Sequence, residues 1–407
     1  MAHAEGGRLV GLETELMLVD DRGYVSNRAA ELVAHPRNTG NIVPEFCNAV
    51  VEANPPPSMS IAVLEANLFA ELTAIQSIAD SMGIKGVPLS EVGPGDHTHR
   101  NTDKPRYLLF EEAVGGEHSN LERSLCGTHL HVDHKNDIVG QYNVLLSMDP
   151  VFVLMSSSSL LRGSNSLNCG RVDLFRNALF RGSPHLSQLL DYISTEEDLN
   201  VLEQARSDYF LDRLARTAEN RRLFGGYNNG STPLRRTSHT IEIRCADSNM
   251  PSLAIAMAAL YKGVLETVFE GRALDVRVSS QDSTWSATNS EITLPSHRTL
   301  KLLESEGITM GVRSPCVHRY LSYLLTLAER GLPSEEARYL QPFKEILKYE
   351  RNVADLLRDK ARLSDPEIRE TIAMPSAAAV NLFIAAQYRD EVGGGSQLLD
   401  MITNGIG

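Results

Sequence analysis

The chain has 407 residues, and its 39 Lys and Arg against 52 Asp and Glu give a formal net charge of -13 at pH 7. A content of 42% hydrophobic and 22% charged residues is that of a globular protein and excludes disorder of the chain as a whole. The excess of negative charge opposes binding to a polyanionic backbone, so we expect small ligands and no nucleic-acid partner.

The cysteines and the apolar segments indicate the cellular compartment in which the protein is expected. The five cysteines are odd in number and scattered, with no CxxC pair, which predicts neither a disulfide framework nor a thiolate zinc site. The N-terminal MAHAEGGRLVGLETE lacks the basic and apolar regions of a secretory signal. The most apolar stretch, 144–155, is interrupted by Asp149 and Pro150 and falls short of the ~20 residues that cross a bilayer. We therefore expect a cytoplasmic protein with no membrane partner.

The first predicted element is a strand from Arg8 to Asp20, closed by a turn signal at residues 20–23. Glu13 and Glu15 stand two residues apart on it, so both carboxylates point the same way, about 7 Å apart along the strand. Such a pair repels itself unless a cation intervenes, and Mg²⁺ prefers oxygen ligands that it shares with nucleotide phosphates. The alternative is a solvated strand face with alternating charge.

Two further acids, Glu45 and Glu52, lie in the segment PEFCNAVVEANPPP. Glu52 ends the apolar run 49–51, and Asn54 adds a neutral oxygen beside it. Both acids are candidate metal ligands, with a simple strand-end charge as the alternative.

The prolines at 55–57 break the chain before an amphipathic helix. Its apolar positions recur every three or four residues, at Ile61, Leu64, Leu68, Leu72, Ile75 and Ile78. Further strands are predicted at Leu125–Val132 and Thr240–Cys245, and further helices at Leu253–Phe269 and Val317–Leu332. The middle of the chain is therefore mixed α and β.

The C-terminal part is predicted to be mostly helical beyond about Ser334. Before it, the polar stretch Ser279–Ser290 lacks periodicity and is predicted to be a surface loop, which could order over a ligand.

The segment CGTHLHVDH carries the most concentrated imidazole chemistry in the sequence. His129 and His131 share one face of the predicted strand, Asp133 continues the row, and His134 follows. The HxH spacing is typical of metal sites, whereas a lone histidine in an apolar strand is usually a core residue.

The segment TIEIRCAD alternates Ile241 and Ile243 with Glu242 and Arg244, so the acid and the guanidinium face together. Phosphoryl transfer needs both groups, because metal-held carboxylates position phosphates and an arginine neutralises charge on the transferred group. A cross-strand ion pair is the alternative interpretation.

Two arginines, Arg171 and Arg176, follow a loop that contains Gly163, Asn165, Ser166 and Gly170. Either could reach a substrate carboxylate or phosphate, although Arg176 is expected to be a surface residue. The cysteines beside the two strongest segments, Cys126 and Cys245, are predicted to be core residues without a nucleophilic role.

In their order, the segments VGLETEL, CGTHLHVDH and TIEIRCADSN resemble carboxylate-amine ligases of the bacterial and plant glutamate–cysteine ligase type, and more distantly glutamine synthetase. The resemblance spans roughly residues 8 to 270. It implies an α+β fold with a glutamine synthetase-like catalytic domain, in which a curved antiparallel sheet forms a funnel backed by helices. It also implies one catalytic domain over residues 1–407, with a helical C-terminal extension over about 291–407.

The resemblance also implies roles for individual residues. One metal would be held by Glu15, Glu45 and Glu52, and the metal that bridges the nucleotide by Glu13, His129 and Glu242. Arg244 would face the acyl phosphate, His131 the phosphates or substrate, and Arg171 the substrate carboxylate. ATP and Mg²⁺, or Mn²⁺ in its place, are the implied cofactors.

The function expected from this resemblance is ATP-dependent formation of a γ-glutamyl type amide from a carboxylate, most simply glutamate, and an amine, with cysteine as the default. A homo-oligomer is compatible with such an enzyme. One alternative is a metal-dependent amidohydrolase built on His129 and His131. The other is a degenerate ligase fold that binds a metabolite or a protein without catalysis.

Overall fold

The computed structural model describes residues 7–91, 105–135, 137–160, 167–180, 182–215, 217–224, 232–270, 274–282, 285–364 and 374–405. Its strands are β1 (Val10–Val19), β2 (Ile42–Pro44), β3 (Val50–Ala53), β4 (Lys85–Val87), β5 (Gly127–Asp133), β6 (Leu234–Arg236), β7 (Thr240–Asp247), β8 (Asp275–Val278), β9 (Ser286–Ala287) and β10 (Glu291–Leu294).

The first eight helices surround the central sheet: α1 (Ala29–Val33), α2 (Ile61–Met82), α3 (Pro105–Val114), α4 (Gly116–Arg123), α5 (Ile138–Ser147), α6 (Gly170–Asp173), α7 (Glu196–Leu211) and α8 (Ala218–Phe224). The later helices are α9 (Pro251–Leu265), α10 (His297–Met310), α11 (Pro315–Gly331), α12 (Ser334–Ala337), α13 (Gln341–Tyr349), α14 (Val353–Ser364), α15 (Met374–Val392) and α16 (Gln397–Asn404).

The central sheet is antiparallel and has the strand order β2-β3-β1-β5-β7-β6, with β4 also paired to β1. Strand β1 lies in its middle because its apolar side chains, such as Leu12 and Leu16, are buried in the core. Helix α9 packs against β1 and β5 from that side, and α2 and α11 pack against α9. Helices α9, α2 and α11 therefore cover one face of the sheet, and the polar side chains lie on the other.

The amphipathic helix predicted after the prolines is α2. Its first turn is capped by the Ser60 side chain, which accepts a hydrogen bond from the Val63 amide. It ends at Gly83, whose φ of 67° lies in the left-handed region that glycine adopts without strain. The predicted helix is confirmed.

Two helical segments are long and apolar enough to cross a membrane, α2 and Pro251–Glu270. The prediction that considered only residues 144–155 overlooked both. In the folded chain 39% of the apolar window of the first and 78% of that of the second are buried inside the protein. Since core helices of globular proteins have the same length and composition, these segments are weak evidence for a membrane span.

The described part of the chain after Leu294 contains helices and no strand, as expected for the C-terminal region. The prediction for Ser279–Ser290 is partly wrong, because β9 lies within this stretch and Trp285 is buried. The Trp285 ring packs 6.4 Å from that of Tyr320 on α11. No described residue of the stretch lines the cavity discussed below, which argues against a role as a lid.

Candidate active site

The strand register brings a row of polar side chains together on the face of the sheet away from α9. Neighbouring strands pair Glu15 with Glu52, Glu13 with His129, His131 with Glu242, and Arg235 with Glu242. Because paired residues on adjacent strands point to the same face, five strands contribute to one site.

A cluster of three carboxylates lies at the β1–β3 end of this row. Glu15, Glu45 and Glu52 each place an oxygen within 4.8 Å of the others. The Gly127 amide donates to Glu15 Oε2 at 2.6 Å, and Asn54 Nδ2 donates to Glu52 Oε1 at 2.8 Å. The structure thus brings together the three acids that the resemblance assigns to one metal.

Burial makes the mutual repulsion of these carboxylates strong. Burial, followed by the charge of Glu45, raises the pKa of Glu15 to about 8. The pKa of Glu52 is raised well above its ordinary value by burial and then by Glu45, Glu13 and Glu15. A buried cluster of carboxylates, which offers only oxygen atoms as ligands, fits a hard divalent cation such as Mg²⁺.

The second cluster is centred on Glu13, whose two oxygens interact with different imidazoles. His129 Nδ1 lies 3.1 Å from Glu13 Oε2, and His131 Nε2 lies 3.0 Å from Glu13 Oε1. Burial alone would raise the pKa of Glu13, but these imidazoles hold it below its ordinary value. Burial and then the charge of Arg244 lower the pKa of His129 to about 4, so this imidazole is neutral near pH 7, as a metal ligand must be.

The described residues contain two overlapping groups of potential ligands around Glu13. One joins Glu13 and His129 to Glu52, and the other joins Glu13 and His131 to Glu242. The predicted set of Glu13, His129 and Glu242 is not itself one of these groups, although His129 Nδ1 lies 3.6 Å from Glu242 Oε1. The geometry therefore brings His131 as close to a metal position as His129.

Glu242 is fully buried and contacts two guanidinium groups, those of Arg244 and Arg235. Burial would raise the pKa of Glu242, but Arg244, Arg235 and the histidines lower it below its ordinary value. Burial would lower the pKa of Arg244, but Glu242 and Glu13 raise it. Glu242 and Arg244 do face together, as the alternation predicted.

Sequence reasoning missed Arg235, which the hairpin of β6 and β7 places opposite Glu242. The alternation in LRRTSHTIEI could have indicated Arg235 as a site residue. Arg235 points to the site, while Arg236 points away and pairs with Glu203.

Arg171 is buried and lies at the other side of the carboxylate cluster. Its Nη1 donates to the Ala246 carbonyl at 3.1 Å, and its guanidinium lies 4.6 Å from the centre of the Phe175 ring. A Cβ at Gly127 would lie 2.6 Å from Arg171 Nη2, so a side chain at this position would displace the guanidinium. The loop residues Gly163, Asn165 and Ser166 lie outside the described residues.

The prediction that Arg176 is a surface arginine is wrong. Its side chain is buried, with Nη2 3.0 Å from Asp149 Oδ1 and Nε 2.8 Å from Glu304 Oε2. Cys126 and Cys245 are buried, as predicted, and burial raises the pKa of both thiols well above the ordinary value.

A cavity of about 410 Å³ opens over both clusters. The predicted residues that line it are Glu13, Glu15, Glu45, Glu52, His129, Arg171 and Arg244. Its further wall is aromatic and basic, and sequence reasoning missed it: Phe46, Tyr107, Phe110, Phe175, Arg106, Arg123 and Arg235. Apart from Arg235 on β6, these side chains come from α3, α4, the turn after α6 and the loop before β3, where no strand periodicity marks them.

The carboxylate cluster leads to a prediction about pH. Below about pH 8 the Glu15 carboxyl holds a proton that an entering cation must displace, so Mg²⁺ affinity should rise with pH and flatten only after Glu52 is also ionised. Calorimetric titration at about pH 6.5 and about pH 8.5, in buffers of different ionisation enthalpy, should show up to ~10-fold tighter binding per pH unit for each proton displaced, and more proton release at the lower pH. Affinity that does not change with pH would contradict this assignment.

Comparison with known proteins bears on this arrangement. The sequence model of the glutamate–cysteine ligase family 2 matches residues 9–374, which extends past the motifs at 8 to 270. The protein of Gloeobacter violaceus named "Putative glutamate--cysteine ligase 2" is 26% identical over 215 residues, which cover 49% of this chain and 55% of that protein. The match spans little more than half the length of that relative.

Two solved structures share the fold over 98% of this chain. A bifunctional glutathione synthetase from Pasteurella multocida superposes with a TM-score of 0.58 at 12% identity, over 56% of its own chain. A glutamate–cysteine ligase from Francisella tularensis in complex with AMP superposes with a TM-score of 0.51 at 12% identity, over 92% of its chain. The α+β, glutamine synthetase-like fold predicted from the motifs is confirmed. The chain belongs to the glutamate–cysteine ligase family 2.

Proposed function

We propose that the protein is an ATP-dependent carboxylate–amine ligase that forms a γ-glutamyl type amide through an acyl phosphate. The observation that carries this proposal is that one cavity is lined by Arg244, by Arg171 and by two overlapping groups of potential metal ligands. These groups are Glu15, Glu45 and Glu52, and Glu13, Glu52 and His129. Phosphoryl transfer to a carboxylate needs this combination, because the three phosphates of ATP and the acceptor carboxylate are all negatively charged and must lie close together. The carboxylate is glutamate or a close relative, and cysteine is the default amine.

The two clusters would hold Mg²⁺, or Mn²⁺ in its place. Glu15, Glu45 and Glu52 would form one site. Glu13, His129 and Glu242 would form the second, because His129 lies next to both carboxylates, with His131 beside it. When bound, the ions neutralise the phosphate charge and orient the nucleotide for in-line transfer. The register pairs Glu13 with His129 and His131 with Glu242 keep these donors at fixed separations on a rigid sheet.

Arg244 is the residue proposed to stabilise the transferred phosphoryl group. In the ligand-free chain its guanidinium contacts Glu242 on the same strand, where it is about one fifth exposed to the cavity. A carboxylate that turns to ligate a cation releases this arginine, whose planar fork matches phosphate oxygens.

Arg171 is proposed to bind the carboxylate group of the carboxylate substrate that does not accept the phosphoryl group. Replacing it by glutamine should raise the KM for the carboxylate substrate roughly 30-fold, the equivalent of about 2 kcal/mol for a charged hydrogen bond in a dry site. The KM for ATP should change little, and Arg171→Lys should recover part of the loss. Steady-state kinetics with each substrate varied in turn separates these effects, and an equal rise of both KM values would argue against the assignment.

The same proposal treats residues 1–407 as one catalytic domain with a helical extension over about 291–407. Contacts between the two parts support this view. Lys262 on α9 pairs with Glu336 at 2.6 Å, and the Ser252 amide donates to Glu391 on α15 at 2.5 Å.

The direct test is to identify the nucleotide product. A ligase that forms an acyl phosphate should convert ATP to ADP and phosphate only when the carboxylate substrate is present. Formation of AMP and pyrophosphate would instead indicate an acyl adenylate and would overturn the mechanism. Hydrolysis of an amide without ATP would favour the amidohydrolase, a reading that leaves Glu15, Glu45 and Arg244 without a role.

A further inference from the structure

A second polar cavity, of about 450 Å³, lies in the C-terminal helical region. Its lining residues belong to α10, α13, α14 and the turns between them: Thr309, Arg313, Tyr349, Glu350, Arg351, Asp355, Arg358, Asp359 and Arg362. None of them lines the cavity over the carboxylate clusters. We refer to this second cavity as the arginine cavity.

Helical spacing explains how the cavity acquires its charge. Asp355, Arg358, Asp359 and Arg362 follow one another at three- and four-residue intervals on α14, so they share one face. Arg313 and Arg351 approach this face from the turn after α10 and the turn before α14. Four arginines against three carboxylates leave one net positive charge in a chain whose total is -13.

Two of the three carboxylates, Asp355 and Asp359, are already engaged, and guanidinium donors remain. Asp355 Oδ1 accepts from Arg313 at 2.8 Å and from Arg358 at 3.3 Å, while its Oδ2 caps α14 at the Asn352 amide. Asp359 contacts Arg351. Arg362 has no side-chain partner among the residues that the structure describes.

Arg358 is the buried member of the group. It is 9% exposed, and its Nε is buried without a partner among the described atoms. Burial lowers the pKa of Arg358. Asp355 opposes this effect, whereas the positive charges of Arg313 and Arg362 add to it. An anion in the cavity would relieve this like-charge repulsion and could occupy the free donors.

We propose that the arginine cavity binds a small molecule through a phosphate or diphosphate group, a site beyond the proposed ligase function. Guanidinium groups from three separate elements surround one volume, which suits a tetrahedral anion with oxygens in several directions. A single carboxylate would need only one fork. The site also contacts the segment that leads into Arg171, since Arg358 donates to the Leu167 carbonyl and Asn352 Nδ2 donates to Asn168 Oδ1 at 2.9 Å.

Calorimetric titration of the full chain with inorganic pyrophosphate tests this proposal. The protein is freed of divalent cations beforehand, so that pyrophosphate is not held through a cation at the carboxylate clusters of the other cavity. Arg313→Gln and Arg362→Gln should each weaken binding roughly 10-fold, and the double variant should abolish it. Arg319→Gln is the matched control, because Arg319 is an exposed arginine on α11 that does not line the cavity.

The proposal stands if pyrophosphate binds at one site, the two cavity variants weaken it, and Arg319→Gln does not. It is overturned if the unmodified chain fails to bind pyrophosphate. An equal loss in the Arg319→Gln control would also overturn it, because binding would then reflect the general charge of the surface. Circular dichroism of each variant confirms that the fold is retained, and none of these outcomes depends on ligase activity.

Discussion

Glu242→Gln is expected to lower ATP-dependent phosphate release by roughly 100-fold or more, with the fold retained. Glu242 is fully buried, contacts Arg244 and Arg235, and shares a potential metal position with Glu13 and His131. The amide keeps the shape of the side chain but removes the charge that would hold a cation, so phosphates and carboxylates would repel one another. The measurement is steady-state phosphate release at saturating ATP and Mg²⁺.

The control for this variant is Glu203→Gln, which removes the partner of Arg236 just outside the site. Arg236 lies on the same short strand as Arg235 but faces the other way, so this change should leave turnover within about 2-fold because surface pairs contribute little. Near-normal turnover in Glu242→Gln, with a normal circular dichroism spectrum in both variants, would contradict the assignment of Glu242.

Arg244→Gln is expected to have an effect of similar or larger size, roughly a 1,000-fold loss of kcat with little change in the KM for ATP. The guanidinium is proposed to act on charge that develops only during transfer, so the loss should appear in kcat. Single-turnover measurement of ADP formation isolates this step from product release. Arg244→Lys should recover only part of the rate, because an ammonium group cannot match phosphate oxygens in a fork.

A structural effect of removing Arg244 needs its own control, because Glu242 would lose one of its two partners. Arg235→Gln removes the other partner and should therefore perturb Glu242 to a similar extent. A much smaller kinetic loss in Arg235→Gln would assign the effect to the reaction itself. Equal losses in both variants would indicate that Arg244 acts by positioning Glu242.

The strand alternation made much of the site predictable. Glu13, Glu15, His129, His131 and Glu242 stand at two-residue spacing within apolar strands, so their shared faces follow from the strand period alone. Three strands that each direct acids or imidazoles to one side are a strong signal of a common site.

Register and long-range contacts account for what the sequence did not reveal. Arg235 enters the site only because the β6–β7 hairpin pairs it with Glu242, and a slip of one residue would have presented Arg236 instead. Arg176 looked like a surface residue because its partners Asp149 and Glu304 lie 27 and 128 positions away in the chain. Tyr107 and Phe110 of the aromatic wall come from α3, a helix with little amphipathic pattern.

The resemblance to ligases added the grouping of these residues by role, which spacing alone could not supply. The family match and the shared fold confirm the family and the fold, and the roles of the individual residues stay predictions. The described geometry refines one detail, since Glu13 lies between His129 and His131 and makes both histidines neighbours of the second metal position.

The most direct test of ligase function is to trap the activated carboxylate with hydroxylamine. The full chain is incubated with ATP, Mg²⁺, glutamate and hydroxylamine, and phosphate and hydroxamate are measured over time. An acyl phosphate predicts that both appear together in equal amounts and that neither appears when the carboxylate is omitted. Absence of hydroxamate with glutamate and with every related carboxylate tried would contradict the account.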